Sequence, residues 1–314
     1  MTVAEAEAEH PPGEATLVVS RGYWRASARR FVRQPVAVFA LLLLVAVYLV
    51  GAFAGHIAPG GWNDLYLGDQ WQNHPPVLHH GWLRWLGTDN IGRSALERTI
   101  WGLHYSETSA LFGALIAAVI GIVMGSLAAL YGGILDAVIM RFADFATTFP
   151  VLITMIAAFA YLEPISVTKA TLVFAFYLWA FVARVVRTRI RAVSAEEFVD
   201  AARALGASNL RLLMRHLLPN AAGSVIVATT SLVGQIVLVE ATAEFFGFGV
   251  NSLIRPTLGN LIAEATQSGI GRFNFLALGW WVWATPATAL VLLLVAVNLV
   301  GDGLASALDP RSRR

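Results

Sequence analysis

Long apolar stretches alternate with short polar ones along this chain, and the alternation predicts its elements. Six stretches are long and apolar enough to cross a hydrocarbon core of about 30 Å. They run from about Val36 to Ala54, Leu111 to Leu130, Phe142 to Tyr161, Ala170 to Val186, Ala221 to Val239 and Pro286 to Val300. In the second, Gly113, Ala117, Gly121, Gly125 and Ala129 recur every four residues and include a G-x-x-x-G. Such a stripe lets another helix approach closely and is read as a packing face. The third holds Pro150, which predicts a kink. Before the second span, Ser94 with Glu97 makes an S-x-x-E capping box, which predicts a turn and a short interfacial helix from about Ala95 to Tyr105.

The polar stretch from Ser194 to Pro219 departs from this alternation. Ser194 and Glu197 form a capping box, and Phe198, Ala201, Ala202 and Leu205 fall on one helical face. Gly206 fits the left-handed residue that ends a helix. Leu210, Leu213, Met214, Leu217 and Leu218 repeat the apolar pattern, with Arg211 and Arg215 off that face. Two short amphipathic helices are predicted. They either lie on lipid as interfacial helices or dock on a partner.

Composition supports a membrane class. Of the 314 residues 57% are hydrophobic and 13% charged, and the mean hydropathy is +0.65. Soluble domains carry about 25% charged residues. The chain has no cysteine, which excludes disulfides and thiolate metal sites. Lys169 is the only lysine, and no Walker A pattern surrounds it, so a P-loop ATPase site is excluded from this chain.

Charge distribution orients the spans. Residues 1–20 are acidic and without periodicity, and they are read as a disordered cytoplasmic tail. Arg21, Arg25, Arg29, Arg30 and Arg33 precede the first span as a basic anchor. With the N-terminus inside, sixteen arginines fall on the cytoplasmic side and six basic residues outside. The positive-inside rule therefore predicts both termini inside and the 194–219 loop in the cytoplasm. Eight tryptophans fall on the outer side or its interface, among them Trp62, Trp82, Trp101 and Trp281.

The spacing in the polar loop resembles the EAA loop of ABC importer permeases, whose pattern is E-A-A-x3-G followed by a hydrophobic residue, x and L-P. Here it reads Asp200-Ala201-Ala202, Gly206 and Leu218-Pro219, with Asp for the leading Glu and His216 at the hydrophobic position. Other stretches are similar to one subfamily, the C-type permeases of oligopeptide, dipeptide and nickel importers. Gly87-Thr88-Asp89-Asn90-Ile91-Gly92-Arg93 resembles its G-T-D-x-x-G-R signature. Tyr131-Gly132-Gly133 with Asp136, Met140, Arg141 and Asp144 resembles its first cytoplasmic loop, where Arg141 and Asp144 are spaced to pair. Glu240-Ala241 through Gly249 resembles E-A-x-L-S-F-L-G-L-G, with Ala243-Glu244 in place of Leu-Ser. Asn298 through Leu304 and Leu308-Asp309-Pro310-Arg311 resemble its C-terminal motifs.

The resemblance implies an all-α membrane protein of six transmembrane helices with a cytoplasmic coupling helix, the type I importer permease fold. It implies a tail over 1–20, a first span plus large outer loop over 21–106, and a core over 107–314. It implies a non-enzymatic subunit of the bacterial cytoplasmic membrane without a cofactor of its own. ATP and Mg2+ then belong to two partner ATPase domains. A homologous permease would complete a heterodimeric pore, and an external binding protein would deliver di- or oligopeptide, nickel, glutathione or another small solute. Nucleic acid is not among the expected partners.

The residues implied for ATPase coupling are Glu197, Asp200, Ala201, Ala202, Gly206, Arg211, His216, Leu218 and Pro219. Thr229, Ser231, Gln235 and Glu240 are candidates for the pore, against the plainer reading that the hydroxyls bond their own backbone and the carboxylate pairs inside the bundle. Asp302 is a similar intramembrane carboxylate. His56, His74, His79, His80 and His104 crowd the outer loop, with no spacing that resembles a ligand pair on one helix face. A secondary transporter acting alone is the rival class. It predicts an internal repeat and charged relays within the spans, and neither is evident.

Overall fold

The computed structural model describes residues 21–65, 74–76, 82–250, 255–267 and 279–308. The 1–20 tail, His79, His80 and the Asp309-Pro310-Arg311 motif lie outside the described residues. Twelve α-helices carry the described chain: α1 Arg21–Val32, α2 Pro35–Ala52, α3 Ala54–Ile57, α4 Ala95–Tyr131, α5 Gly133–Thr148, α6 Val151–Tyr161, α7 Val167–Ser194, α8 Glu197–Ala204, α9 Asn209–Leu212, α10 Leu218–Phe245, α11 Leu258–Gln267 and α12 Trp280–Leu308. Five segments are long and apolar enough to span a bilayer: α2, α4, α7, the run Asn209–Phe245 and α12.

The third expected span is not one straight helix. Gly133–Thr148 and Val151–Tyr161 meet at 84°, the geometry of a broken span or of a re-entrant loop, and the described residues hold five spans or, with this pair, six. Pro150 causes the break. It stands at the N-cap of α6, and Phe149 before it is extended (φ −85°, ψ 142°), as a residue preceding proline prefers.

Three other boundaries move. The helix expected over 95–105 is the first part of α4, continuous with the second span over 37 residues. Ser94 caps it as expected, accepting from the Glu97 N–H at 3.2 Å. The fourth span runs on to Ser194, through Arg184, Arg187, Arg189 and Arg191. The sixth starts at Trp280, so Asn298 and Asp302 are mid-helix.

The core is organised on α4 against α7. Gly121 and Gly125 press directly on α7. A Cβ on Gly121 would sit 2.6 Å from Val182 Cβ, and one on Gly125 would sit 2.5 Å from the Ala183 carbonyl. Gly113 and Ala117 belong to the same buried stripe, which continues through Ala128 rather than Ala129. Close backbone approach replaces side-chain interdigitation here, as is usual between helices in lipid.

Three arginines on one face of α7 hold α5. Arg184 donates to the Ala143 carbonyl at 3.0 Å and the Thr147 hydroxyl at 2.6 Å. Arg187 grips Asp136 through Nε (2.5 Å) and Nη2 (2.7 Å), and Arg191 reaches the same carboxylate at 2.6 Å. Asp144 faces Arg184 at 3.4 Å, not Arg141 one turn away. Proximity in sequence suggested the local pair, but α7 brings a guanidinium across from another helix.

Candidate coupling loop and outer latch

The 194–219 loop forms two short helices as expected, with different caps and faces. Ser194 is the last residue of α7 rather than an N-cap. Glu196 takes the N-cap of α8, without a side-chain cap bond. The turn at Gly206 has a Schellman pattern: the Gly206 N–H donates to the Arg203 carbonyl at 2.9 Å, and the Ala207 N–H to the Ala202 carbonyl at 3.1 Å. Gly206 has φ +82° and open space where a Cβ would go, so its backbone conformation, not crowding, calls for glycine. Ser208 caps α9 by accepting from the Arg211 N–H.

The inward face consists of Val199, Leu212 and Leu217, each at most 1% exposed. The apolar faces expected from periodicity are thereby corrected. Leu205, Leu210 and Met214 point outward, 89%, 69% and 61% exposed, and Ala201 is exposed beside them. Phe198 and Ala202 are half-buried, with the Phe198 ring 6.1 Å from that of His216. Glu197 and Arg211 are exposed, and Asp200 pairs with Arg203 at 3.0 Å on the surface.

Between α9 and α10 the chain passes through a π turn, Leu213–Leu217. Pro219 lacks an N–H and its ring crowds the preceding turn, so a wider turn just before it lets the helix continue. The Asn220 side-chain amide donates to the His216 carbonyl at 2.6 Å, satisfying that group locally. Leu218 and Pro219 are half-buried at the start of α10.

The pore candidates divide. Thr229 and Ser231 donate to backbone carbonyls four residues back, at 2.8 and 3.0 Å, the plainer reading for such hydroxyls. Ser231 and Gln235 lie exposed on one face of α10. Glu240 is buried beside Ser106 and Ser109 of α4, whereas Asp302 is exposed on α12. Glu244, which departs from the family pattern, is buried and accepts from the Thr257 hydroxyl. Gly249 and Gly259 make room for it: a Cβ on either would lie within 2.7 Å of its side chain.

Sequence reasoning missed a second constellation at the outer end. The Gly87–Arg93 stretch is a turn, as read, and also half of an ion cluster. Asp89 accepts from the Arg93 backbone N–H at 2.9 Å, Arg93 Nε at 2.6 Å and Arg98 at 3.1 Å. Both arginines also reach Glu264 of α11, Arg98 at 2.7 Å. Asp89, Arg93 and Arg98 are all under 5% exposed. Burial opposes ionisation of Glu264, but the Arg98 and Arg93 charges outweigh it and hold its carboxyl below the usual range. The Trp281 indole N–H donates to the Thr88 carbonyl at 3.0 Å, which adds α12 to the latch. An i,i+4 search could find Asp89 with Arg93, but Glu264 is 171 residues away from Arg93.

Known proteins match this architecture. The family model described as binding-protein-dependent transport system inner membrane component matches residues 117–314, and the N-terminal TM domain of oligopeptide transport permease C matches 22–76. A peptide permease protein of Brucella suis is 32% identical over 297 residues, covering 95% of this chain and 94% of the relative. The glutathione transport system permease protein GsiD of Escherichia coli is 33% identical over 288 residues, covering 92% and 90%. In fold, the chain is similar to the MetNI methionine ABC transporter in an inward-facing conformation, with TM-score 0.54 and 19% identity over 66% of this chain and 94% of that one. With its apolar spans, family match and near-full-length relatives together, this chain belongs to the inner membrane component family of binding-protein-dependent transport systems, as a multi-pass ABC transporter permease of the peptide type.

Proposed function

We propose that this chain is one pore-forming subunit of an ATP-driven importer of di- or oligopeptides, coupled through α8 and α9 to ATPase domains on separate chains. One observation carries the reading: Leu205, Leu210 and Met214 are exposed on a loop whose inner face, Val199, Leu212 and Leu217, is fully packed. Solvated loops rarely present three large apolar side chains together, and such a patch marks a docking site. The lack of a Walker A sequence supports a motor on another chain, where ATP and Mg2+ would bind. A homologous permease facing Ser231 and Gln235 would complete the pore, and an external binding protein would supply solute. ATP-driven closure of the ATPases then moves the coupling loops and rocks the helix bundles between inward and outward access.

Co-purification tests this reading. Wild-type chain brings down an ATPase and a second permease, whereas Leu205→Glu with Met214→Glu loses the ATPase and ATP-driven uptake while staying folded. Equal ATPase recovery from both would refute the docking role. A second solute, glutathione, is favoured by the name and 33% identity of the Escherichia coli relative. Uptake by the reconstituted complex, with dipeptides and glutathione in competition, separates the two. ATP-independent uptake by this chain alone would instead establish the secondary transporter.

A further inference from the structure

Helix α1 sorts its residues onto two faces. Tyr23, Ser27, Arg30 and Phe31 turn toward the body of the protein. The Tyr23 hydroxyl donates to the Leu308 carbonyl at 2.7 Å, and Arg30 to the Ala307 carbonyl at 3.4 Å, at the end of α12. A Cβ on Gly303 would lie 3.1 Å from the Phe31 ring. A Cβ on Gly223, near the start of α10, would lie 3.4 Å from the Tyr23 hydroxyl. Thus α1 rests on the ends of α12 and α10, at the same end of the bundle as the 194–219 loop.

The opposite face of α1 exposes Trp24, Arg25, Arg29 and Val32, and Arg33 continues the row in the turn just past the helix. Arg25, Arg29 and Arg33 recur every four residues, so their charges are neighbours and repel one another unless anions intervene. Among the described residues no carboxylate pairs with any of the three. Only Gln34 separates Arg33 from α2, the first membrane span, so the stripe ends where that span enters the membrane. A guanidinium binds phosphate through two parallel N–H bonds, and Trp beside Arg is the side-chain pair of a membrane interface.

We propose that the Arg25–Arg29–Arg33 face of α1 binds the phosphates of anionic phospholipid headgroups, and that Tyr23 and Arg30 tie the ends of α10 and α12 to that lipid layer. The proposal is independent of the transported solute and of the ATPase contact. The test uses the full-length chain with its co-purifying subunits, in nanodiscs of phosphatidylcholine alone or of an equal mixture with phosphatidylglycerol. Native mass spectrometry counts retained phosphatidylglycerol, and a thermal melt gives stability in each lipid. Wild type should retain the anionic lipid and melt higher in the mixture. Each arginine changed to Gln should weaken retention about fivefold, and R25Q/R29Q/R33Q should abolish the difference in melting. If the triple variant fails to insert, Arg29→Gln alone serves, with a partial loss expected. Unchanged retention in either variant overturns the proposal. That is also the outcome expected if the glutamates of residues 1–20, rather than lipid, occupy the face.

Discussion

At the scale of single residues, Gly206 and Asp136 have the clearest consequences. Gly206 holds a left-handed conformation in open space, so a side chain there meets backbone strain and no clash. Gly206→Val should cost about 1–2 kcal/mol locally and re-angle α9 against α8. ATP hydrolysis should persist while uptake falls, and wild-type uptake per ATP would count against a coupling role. Asp136 takes bonds from both Arg187 and Arg191. Asp136→Asn leaves two guanidiniums without their counter-charge and should cost about 1–3 kcal/mol, read as a lower melting midpoint, with Asp136→Glu partly restoring it. Of these two residues, Gly206 was legible in the sequence because its role is local. The partners of Asp136 were not, because they lie 51 and 55 positions away.

At the scale of elements, period and composition located the helices well and their ends poorly. The spans of α2, α4, α7, α10 and α12 follow from runs of apolar residues, but each helix except α2 continues past its apolar run. Arginines can extend α7 because Arg184, Arg187 and Arg191 find acceptors on α5 rather than needing water. Replacing these three with Gln should therefore loosen α5 from α7 as well as weaken the inside anchor, so protease access to the Gly132–Gly133 turn should rise even where topology is kept. The α4–α7 contact makes a stricter demand. Gly125→Leu would drive a side chain into the Ala183 backbone, and the chain should fail to accumulate in the membrane, whereas Ala128→Gly should be tolerated. Faces of the 194–219 loop misled the periodicity for a physical reason: apolar residues there serve both an inner and an outer surface, so no single stripe marks the buried side.

At the scale of the whole molecule, the outer latch joins α4 to α11 through ion pairs and adds α12 through the Trp281 indole. Glu264→Gln removes one of the two carboxylates that Arg93 and Arg98 share and leaves Asp89 in place, so it should destabilise by about 1–3 kcal/mol. The Glu264 carboxyl is held below its ordinary value, so its contribution is complete above the unfolded value of about 4.3 and is lost as pH falls through the lower folded value. The gap in melting midpoint between wild type and Glu264→Gln should then stay constant from pH 7 to 5, and wild type should converge on the variant only in stronger acid. The latch was legible as motif residues and invisible as a cluster, since one carboxylate stands in a helix with no motif of its own. The π turn before Pro219 has a mechanical consequence at this scale. It keeps Asn209–Phe245 one rod of 37 residues, about 55 Å long, instead of a flexible tether and a span. A tilt of about 5° at its foot would sweep its far end by about 5 Å. That far end carries Glu244, whose grip on Thr257 leads straight into α11. Leverage delivered to the loop on one side of the membrane would thus arrive, magnified, at the latch on the other.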